Sequence, residues 1–270
     1  MFLIILKNAK KIFGIKKQAL VPFLIFGIVI HFFLQRAEAR VFDLGAESFS
    51  AYIKGTIGPA FTSGLHDDSS GTNISLDSQH KSVRSGEFGF IYSTLLTNIR
   101  VGLSVLVPES LQNQSGQNSS GTEVYSLNSE LTVTSPTLAL EFNFMRSPRS
   151  RGVFSLGLGY ANLVARNAYT INSSGQSLFG ITDFSEELRS TALMYEAGVG
   201  YEFLMTDTTT FIVEGGYRWL NFTEIKHNKA VTTFQGVVAK GDIAKNMDGT
   251  ARSLNITSGY AGISFRIWID

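Results

Sequence analysis

The sequence predicts an all-β protein, an antiparallel up-and-down β-barrel of eight strands that crosses a membrane. Three observations lead to this fold class. Apolar side chains alternate with small or polar ones in eight segments, and this is the period of a β-strand. Long and short connections alternate between those segments, as they do in barrels that span a membrane. No apolar run after residue 39 approaches the ~20 residues of a membrane-spanning helix.

Residues 1–39 are expected to form a cleavable secretory signal peptide, which leaves residues 40–270 as the barrel domain. A basic segment, Lys7 to Lys17, precedes an apolar stretch from Ala19 to Leu34. Ala37 and Ala39 then form a small-x-small cleavage motif. This order of regions is typical of a secretory signal. An uncleaved membrane anchor is the alternative.

The charge of the chain divides between these two parts. The leader holds six of the 23 basic residues and one of the 22 acidic ones, so residues 40–270 carry 17 basic and 21 acidic residues, a net charge of −4. An acidic chain lacks the basic footprint that nucleic-acid binding needs, and we expect no nucleic-acid partner. The absence of cysteine excludes disulfides, thiolate metal sites and cysteine nucleophiles.

The alternation defines the positions of the eight strands. It is clearest from Ile99 to Val107, where odd positions are aliphatic and even positions are mostly Arg, Gly or Ser. The predicted strands cover residues 50–62, 84–94, 98–107, 136–145, 152–164, 190–204, 209–221 and 253–269. The connections at 95–97, 146–151 and 205–208 are short, whereas those at 63–83, 108–135, 165–189 and 222–252 are long.

Two segments within the long connections are also β-prone. Tyr125, Leu127, Leu131 and Val133 continue an alternation before Pro136, and residues 231–238 are rich in β-forming side chains. We interpret both as extensions of strands above the membrane. A small hairpin, or a barrel of ten strands, is the alternative.

The composition of the two strand faces predicts which one points outward. The polar face is dominated by Gly, Ser and Ala, which fit the narrow lumen of an eight-stranded barrel. A solvated exterior would carry many Lys and Glu, so a soluble lipocalin-like barrel is the less favoured alternative. The apolar face also carries the side chains expected of an interfacial aromatic girdle. They are Tyr92, Tyr160, Tyr195, Tyr201, Tyr217 and Trp219.

Charged residues on the polar face predict an ion-pair network inside the barrel, because an isolated buried charge is costly. The basic members are Lys54, Arg100, Arg218 and Arg266, and the acidic members are Glu87, Glu141, Glu196, Glu202 and Glu214. We interpret the network as a salt-bridged plug. A proton path, an ion path or a gated pore is the alternative.

The remaining charged and ionisable residues give no catalytic or metal-binding pattern. His66, His80 and His227 fall in or beside long connections, where we expect solvated side chains. Arg146, Arg149 and Arg151 cluster at a short connection, where we expect a solvated turn. We therefore predict no cofactor, no metal ion and no catalytic residue.

The last strand carries a resemblance to a known family. Tyr260, Gly262, Phe265 and Ile267 resemble the C-terminal insertion signal of the eight-stranded outer-membrane barrels of Gram-negative bacteria, the OmpA/OmpX/OmpW-like superfamily. That family usually ends on an aromatic residue, whereas this chain ends Trp268-Ile269-Asp270. The resemblance implies location in the cell outer membrane and assembly by the barrel insertion machinery. It also implies long loops outside the cell and short turns in the periplasm.

The sequence favours a non-enzymatic protein of the cell envelope. We expect a monomer among outer-membrane lipids, with a structural, surface-interaction or narrow, porin-like channel role. The four long loops could hold an extracellular ligand. Two alternatives from other classes stay open. One is an outer-membrane enzyme that transfers or removes the acyl chains of lipid A or phospholipids, and the other is a periplasmic lipid-binding barrel.

Overall fold

A computed structural model describes residues 47–63, 65, 74–76 and 80–269. The predicted signal peptide, with Ala37 and Ala39 at its cleavage motif, lies outside the described residues, and so does His66. No helix in the described part of the chain is long and apolar enough to cross a membrane.

The described residues form eight long barrel strands, five short strands and one short helix. The barrel strands are β1 (Phe49–Ser63), β3 (Ser82–Ser93), β4 (Thr97–Pro108), β6 (Glu123–Ser147), β7 (Ser150–Ile171), β8 (Phe184–Thr206), β9 (Thr209–Phe222) and β13 (Leu254–Trp268). The other elements are β2 (Ile74–Leu76), β5 (Leu111–Asn118), β10 (Lys226–His227), β11 (Val231–Thr233), β12 (Gly236–Val238) and helix α1 (Ser173–Phe179).

The eight barrel strands form a closed antiparallel ring. Each pairs with the next in chain order, from β1 with β3 through to β9 with β13. The first and last strands then pair with each other, with Ser50 opposite Trp268 and Ala60 opposite Ser258. Closure removes the unpaired edge that a sheet cannot expose to hydrocarbon.

The predicted number and order of strands are confirmed, and a ring of ten is excluded among the described residues. The predicted extension through residues 125–133 is also correct, because that segment belongs to β6. The interpretation of residues 231–238 as an extension is wrong. They form the small alternative hairpin, in which Val231 pairs with Val238 in a separate two-stranded sheet.

The long connections after β4 and β7 are shorter than predicted. The alternation predicts connections at residues 108–135 and 165–189, with a strand extension only at 125–133, whereas β6 begins at Glu123, β7 continues to Ile171 and β8 begins at Phe184. These three strands contain 25, 22 and 23 residues, well beyond the ~9–11 that cross a membrane. They therefore rise above the other strands at the long-loop end of the barrel.

The barrel exterior is apolar around its middle. Phe88, Val101, Leu140, Leu156 and Val199 all point outward and are exposed. Tyr92, Tyr160, Tyr195, Tyr201 and Trp219 are exposed on the same face, as predicted for an aromatic girdle. An exterior of this kind would be insoluble in water, so the soluble lipocalin-like alternative is wrong.

The polarity of the two faces inverts where the tall strands leave this band. On β6, the outward side chains from Leu138 to Phe144 are apolar, and the inward ones include Glu141 and Asn143. Above Pro136 the outward side chains are polar, and the inward ones are mostly apolar, Ser129 and Ser135 being the polar exceptions. The outward set is Asn128, Glu130, Thr132 and Thr134, and the apolar inward set is Leu127, Leu131 and Val133. Pro136 therefore marks the outer limit of the apolar band on this strand.

Candidate functional site

The barrel interior holds all nine residues of the predicted charge network. Because side chains alternate along each strand, a single phase of each strand points into the lumen. The nine lie in that phase and are buried, the most exposed side chain being that of Glu214 at 8%. Their ion pairs form three connected groups, described below from the short-turn end upward.

Glu202 is the centre of the group nearest the short turns. It accepts hydrogen bonds from Arg151 Nε at 2.7 Å, Arg266 Nη1 at 3.1 Å and Thr210 Oγ1 at 2.5 Å. The Arg151 guanidinium also lies 5.2 Å from the centre of the Trp268 ring. This group fills the lumen at the start of β7 and the end of β13.

Glu141 is the centre of the second group. Arg266 Nη2 donates to both of its carboxylate oxygens at 2.8 Å, and Arg100 Nη1 donates at 2.9 Å. Asn98 Nδ2 completes the set at 2.8 Å. Arg266 thus joins the first group to the second, since it binds Glu202 and Glu141 together.

Lys54 and Glu196 form the third group, halfway along the barrel. Lys54 Nζ lies 2.7 Å from Glu196 and 2.6 Å from Glu214. Arg218 Nη2 and the Tyr260 hydroxyl each donate to Glu196 at 2.9 Å.

Arg100 connects the second and third groups, and Glu87 lies beside it. Glu87 accepts a hydrogen bond from the Tyr52 hydroxyl at 2.5 Å and lies 3.4 Å from Arg100 Nε. Arg100 Nη2 also lies 3.8 Å from Glu196. The three groups therefore form one continuous network.

The network contains five cations and five carboxylates once Arg151 is included. Sequence reasoning gave four cations for five carboxylates, and it placed Arg151 on a solvated turn with Arg146 and Arg149. That placement is wrong for Arg151, which is the second residue of β7, points inward and is 3% exposed. Arg146 and Arg149 are exposed, as expected. Val153 and Ser155 point inward on the same strand, and extending their alternation by two residues would have placed Arg151 inside the barrel.

An apolar layer lies above the charged network. It is built from inward side chains of the upper strands, including Leu106, Val133, Leu163, Leu220 and Ile256. Leu65, Ile225 and Ala244, from the long connections, pack into the same layer. Sequence reasoning missed this layer because it expected a polar lumen along the full length of the strands.

A second buried polar group lies higher, among the tall strands. Glu186 on β8 accepts hydrogen bonds from Arg252 Nη1 at 2.5 Å and from Asn167 Nδ2 at 2.9 Å. Asn167 in turn accepts one from Ser129 Oγ at 2.8 Å. His227 Nδ1 lies 3.8 Å from Glu186. This group ties the last long connection to three strands.

The expectation of solvated histidines is wrong for two of the three. His227 is 4% exposed and His80 is 2% exposed, and burial lowers the pKa of both imidazoles because the charged form loses its water. Among the described residues, no three His, Cys, Asp or Glu side chains are arranged to hold a metal ion.

The four residues of the predicted insertion signal lie on both faces of β13. Tyr260 and Gly262 point into the lumen, and Phe265 and Ile267 point outward. Gly262 lies where an added Cβ would come within 2.7 Å of the Gly55 carbonyl oxygen.

Comparison with known proteins gives likeness in fold only. No protein-family model matches the chain, and no characterised protein is significantly similar to it in sequence. Among solved structures, Neisserial surface protein A covers 83% of this chain and all of its own, at 11% identity and a TM-score of 0.39. The outer membrane protein OprG from Pseudomonas aeruginosa covers 85% of this chain and all of its own, at 12% identity and a TM-score of 0.43.

A major outer membrane protein from Thermus thermophilus covers 81% of this chain and 99% of its own, at 12% identity and a TM-score of 0.44. These values are too low to carry an argument about relatives or activity. The class of protein is decided by the closed ring and its apolar exterior, since only a closed sheet can satisfy its backbone in lipid. The chain is an outer-membrane-type transmembrane β-barrel. The interior of this barrel is charged at the short-turn end and apolar at the long-loop end.

Proposed function

We propose that this barrel is a sealed, non-conducting scaffold of the outer membrane that acts through the surface formed by its long loops. The observation that carries the proposal is the balance of the lumen, where five buried cations meet five buried carboxylates. Each of these ten charges lies within 4 Å of an opposite charge.

Two features of the interior support a seal. An eight-stranded lumen is only just wide enough for its own side chains, and an ion passing through would have to separate buried pairs at a cost of about 3–5 kcal/mol for each. The side chains that form the apolar layer above the network are hydrocarbon and cannot replace the hydration of that ion. An ion would have to cross both the charged network and the apolar layer. This favours a plugged barrel over a narrow channel.

The long-loop end supports a surface-interaction role. The tall parts of β6, β7 and β8, together with helix α1 and the β11–β12 hairpin, form an ordered structure above the apolar band. Val237, in the middle of β12, is 83% exposed, and Leu178 on α1 is also exposed. We take this ordered end of the barrel as the contact surface.

Conductance in planar lipid bilayers tests the sealed lumen. We expect no single-channel steps from the wild-type protein. Glu141→Gln and Glu214→Gln each remove one carboxylate from the network, and Glu130→Gln, on the exposed outer face of β6, is the matched control. Well-resolved conductance steps in the wild type, altered by Glu141→Gln or Glu214→Gln but not by Glu130→Gln, would contradict the seal and favour the narrow channel.

Export and insertion complete the proposal. Cleavage after Ala39 would give a mature chain that begins at Arg40, and the intact mass of the protein from the outer-membrane fraction tests this directly. Phe265 and Ile267 would present the insertion signal to the barrel assembly machinery. We expect the double change Phe265→Ala and Ile267→Ala to lower the inserted fraction, measured as the band that shifts on boiling. An unchanged band would exclude these two residues from the signal.

A further inference from the structure

The last long connection forms an ordered cap on the tall strands. The cap comprises residues 223–253, which include β10, β11 and β12. Its β10 segment pairs with β8, Lys226 lying opposite Arg189. Ser190 Oγ donates to the Glu224 carbonyl at 2.5 Å, and Asn228 N donates to the Glu187 carbonyl at 2.8 Å. Two further contacts, one aromatic and one polar, hold the rest of the cap.

The aromatic contact is made by Phe234, at the turn of the β11–β12 hairpin. Its ring lies within 5.0–5.3 Å of the ring centres of four aromatic residues, and these form a box around it. The box consists of Tyr125, Tyr169, Phe179 and Phe184. Contacts of this geometry add stability beyond the burial of area. The box is therefore occupied by the chain itself.

The polar contact is the Glu186 group. Arg252 belongs to the cap, and its guanidinium donates to Glu186 at 2.5 Å and to the Lys245 carbonyl at 3.0 Å. Both charged side chains are almost fully buried. A buried pair of this kind is costly to leave with one partner missing, so the cap and β8 depend on each other at this point.

The His227 imidazole faces the Glu186 carboxylate but lies too far from it for a hydrogen bond. Its Nδ1 lies 3.8 Å from Glu186 Oε2, and neither atom has a hydrogen-bond partner within the described residues. The charged groups that face the imidazole are Glu186 from β8, Arg252 from the segment before β13 and Asp242 from the cap. A protonated His227 would therefore lie beside the Arg252 guanidinium and compete with it for the Glu186 carboxylate.

We infer that the cap is an acid-released lid, in which protonation of His227 weakens the Glu186–Arg252 contact and frees the aromatic box. The docked cap favours the neutral imidazole, and the released cap, in which water reaches the ring, accepts the proton more readily. Docking is therefore strongest above the ordinary pKa of histidine, about 6.5, and weakens as the pH falls below it.

Release of the cap would uncover the faces of Tyr125, Tyr169 and Phe184. The ion-pair network of the lumen lies deeper in the barrel and contains none of these residues. Release consequently changes the surface above the membrane without requiring the barrel to open. The inference stands whether or not the lumen conducts.

The absence of cysteine allows a single introduced thiol to report on the cap. Ala165 is fully buried on β7, in the apolar layer that also contains Ile225 and Ala244 of the cap. Ala168 lies three residues further along β7 and is exposed. We take the labelling rate of Ala165→Cys divided by that of Ala168→Cys, which removes the effect of pH on the thiol itself.

For the folded protein in detergent micelles, we expect this ratio to rise at least about fivefold between roughly pH 7.5 and pH 5. With His227→Gln in the same background the ratio should stay at its neutral-pH value, and with His80→Gln the rise should persist. Phe234→Ala should give a high ratio at both pH values, which shows that the probe senses the cap.

Three results would overturn the inference. The ratio could remain constant from neutral to acid pH in the wild-type background while Phe234→Ala raises it, in which case acid does not release the cap. The rise could survive His227→Gln, in which case another group releases the cap. Phe234→Ala could leave the ratio low, in which case the cap does not cover Ala165.

Discussion

At the scale of single residues, Arg151 shows that the direction in which a side chain points depends on its place in the alternation of a strand. The residues next to it in sequence are a poorer guide to that direction. Three arginines near a Pro suggest a solvated turn, and two of them are exposed. Arg151 instead lies in the inward phase of β7 and supplies the fifth cation of the lumen. The positions of the other nine charges were accessible from the sequence, because each lies inside a segment of strong alternation.

The partners of those charges could not be predicted from the sequence. Arg266 and Glu141 are 125 positions apart, yet Arg266 Nη2 lies 2.8 Å from the carboxylate. Their contact depends on the shear of the closed ring, which shifts strands relative to one another and which alternation alone does not encode.

The Glu202→Gln variant tests how much the balance of buried positive and negative charges contributes to the stability of the barrel. Arg151 and Arg266 would keep their buried charges and lose the carboxylate they share, so we expect the free energy of unfolding to fall by about 3–5 kcal/mol. Urea titration of the protein in lipid vesicles, followed by the fluorescence of Trp268 and Trp219, measures the change. Glu130→Gln on the exposed face of β6 is the control, and equal midpoints for both variants would show that the balance contributes nothing to stability.

At the scale of the element, β6, β7 and β8 explain why the strand ends were harder to predict than the strand centres. Within the apolar band the outward phase is apolar, and above it the inward phase is mostly apolar. At residues 165–171 and 184–189 the alternation continues with opposite polarity, and few outward apolar residues mark it, so the sequence pattern predicts a loop there. The seven-residue helix α1 gave no signal that could be separated from a turn.

Gly58 lies at the tightest approach between the closing strands, β1 and β13. An added Cβ at Gly58 would lie 1.8 Å from the Gly259 carbonyl oxygen, and because that oxygen belongs to the backbone of β13 it cannot move without disturbing the ladder. Gly55 lies on the same strand and has no atom within 4 Å of an added Cβ.

We therefore expect Gly58→Ala to lower the fraction of protein that shifts in mobility on boiling, and Gly55→Ala to leave that fraction unchanged. The assay uses identical refolding into detergent micelles for both variants. If the two behave alike, the close approach of β1 to β13 at this position does not limit closure of the ring.

At the scale of the whole molecule, the barrel has two different ends. The short-turn end is closed by Arg151, Glu202 and Trp268, while the long-loop end carries the cap and the aromatic box. The proposed orientation, with long loops outside the cell, places the cap in contact with the environment. The proposed surface role requires that the cap face the outside of the cell.

Single cysteines in intact cells test this orientation, since the native chain has none. Val237→Cys, on the exposed side of β12, should react with a membrane-impermeant maleimide on whole cells. Asp207→Cys, exposed at the short connection after β8, should react only after the outer membrane is permeabilised. The reverse pattern would place the cap in the periplasm and remove the basis for a surface role.

The inversion of polarity at Pro136 has a consequence for the accuracy of folding. A slip of one residue in the pairing of β6 would turn Glu141 and Asn143 toward lipid below Pro136, and the same slip would turn Leu131 and Val133 toward water above it. The two halves of the strand are held in one continuous ladder, so neither error can occur without the other. A strand in the wrong register would therefore lose free energy of folding at both levels, by exposing polar side chains to lipid and apolar side chains to water.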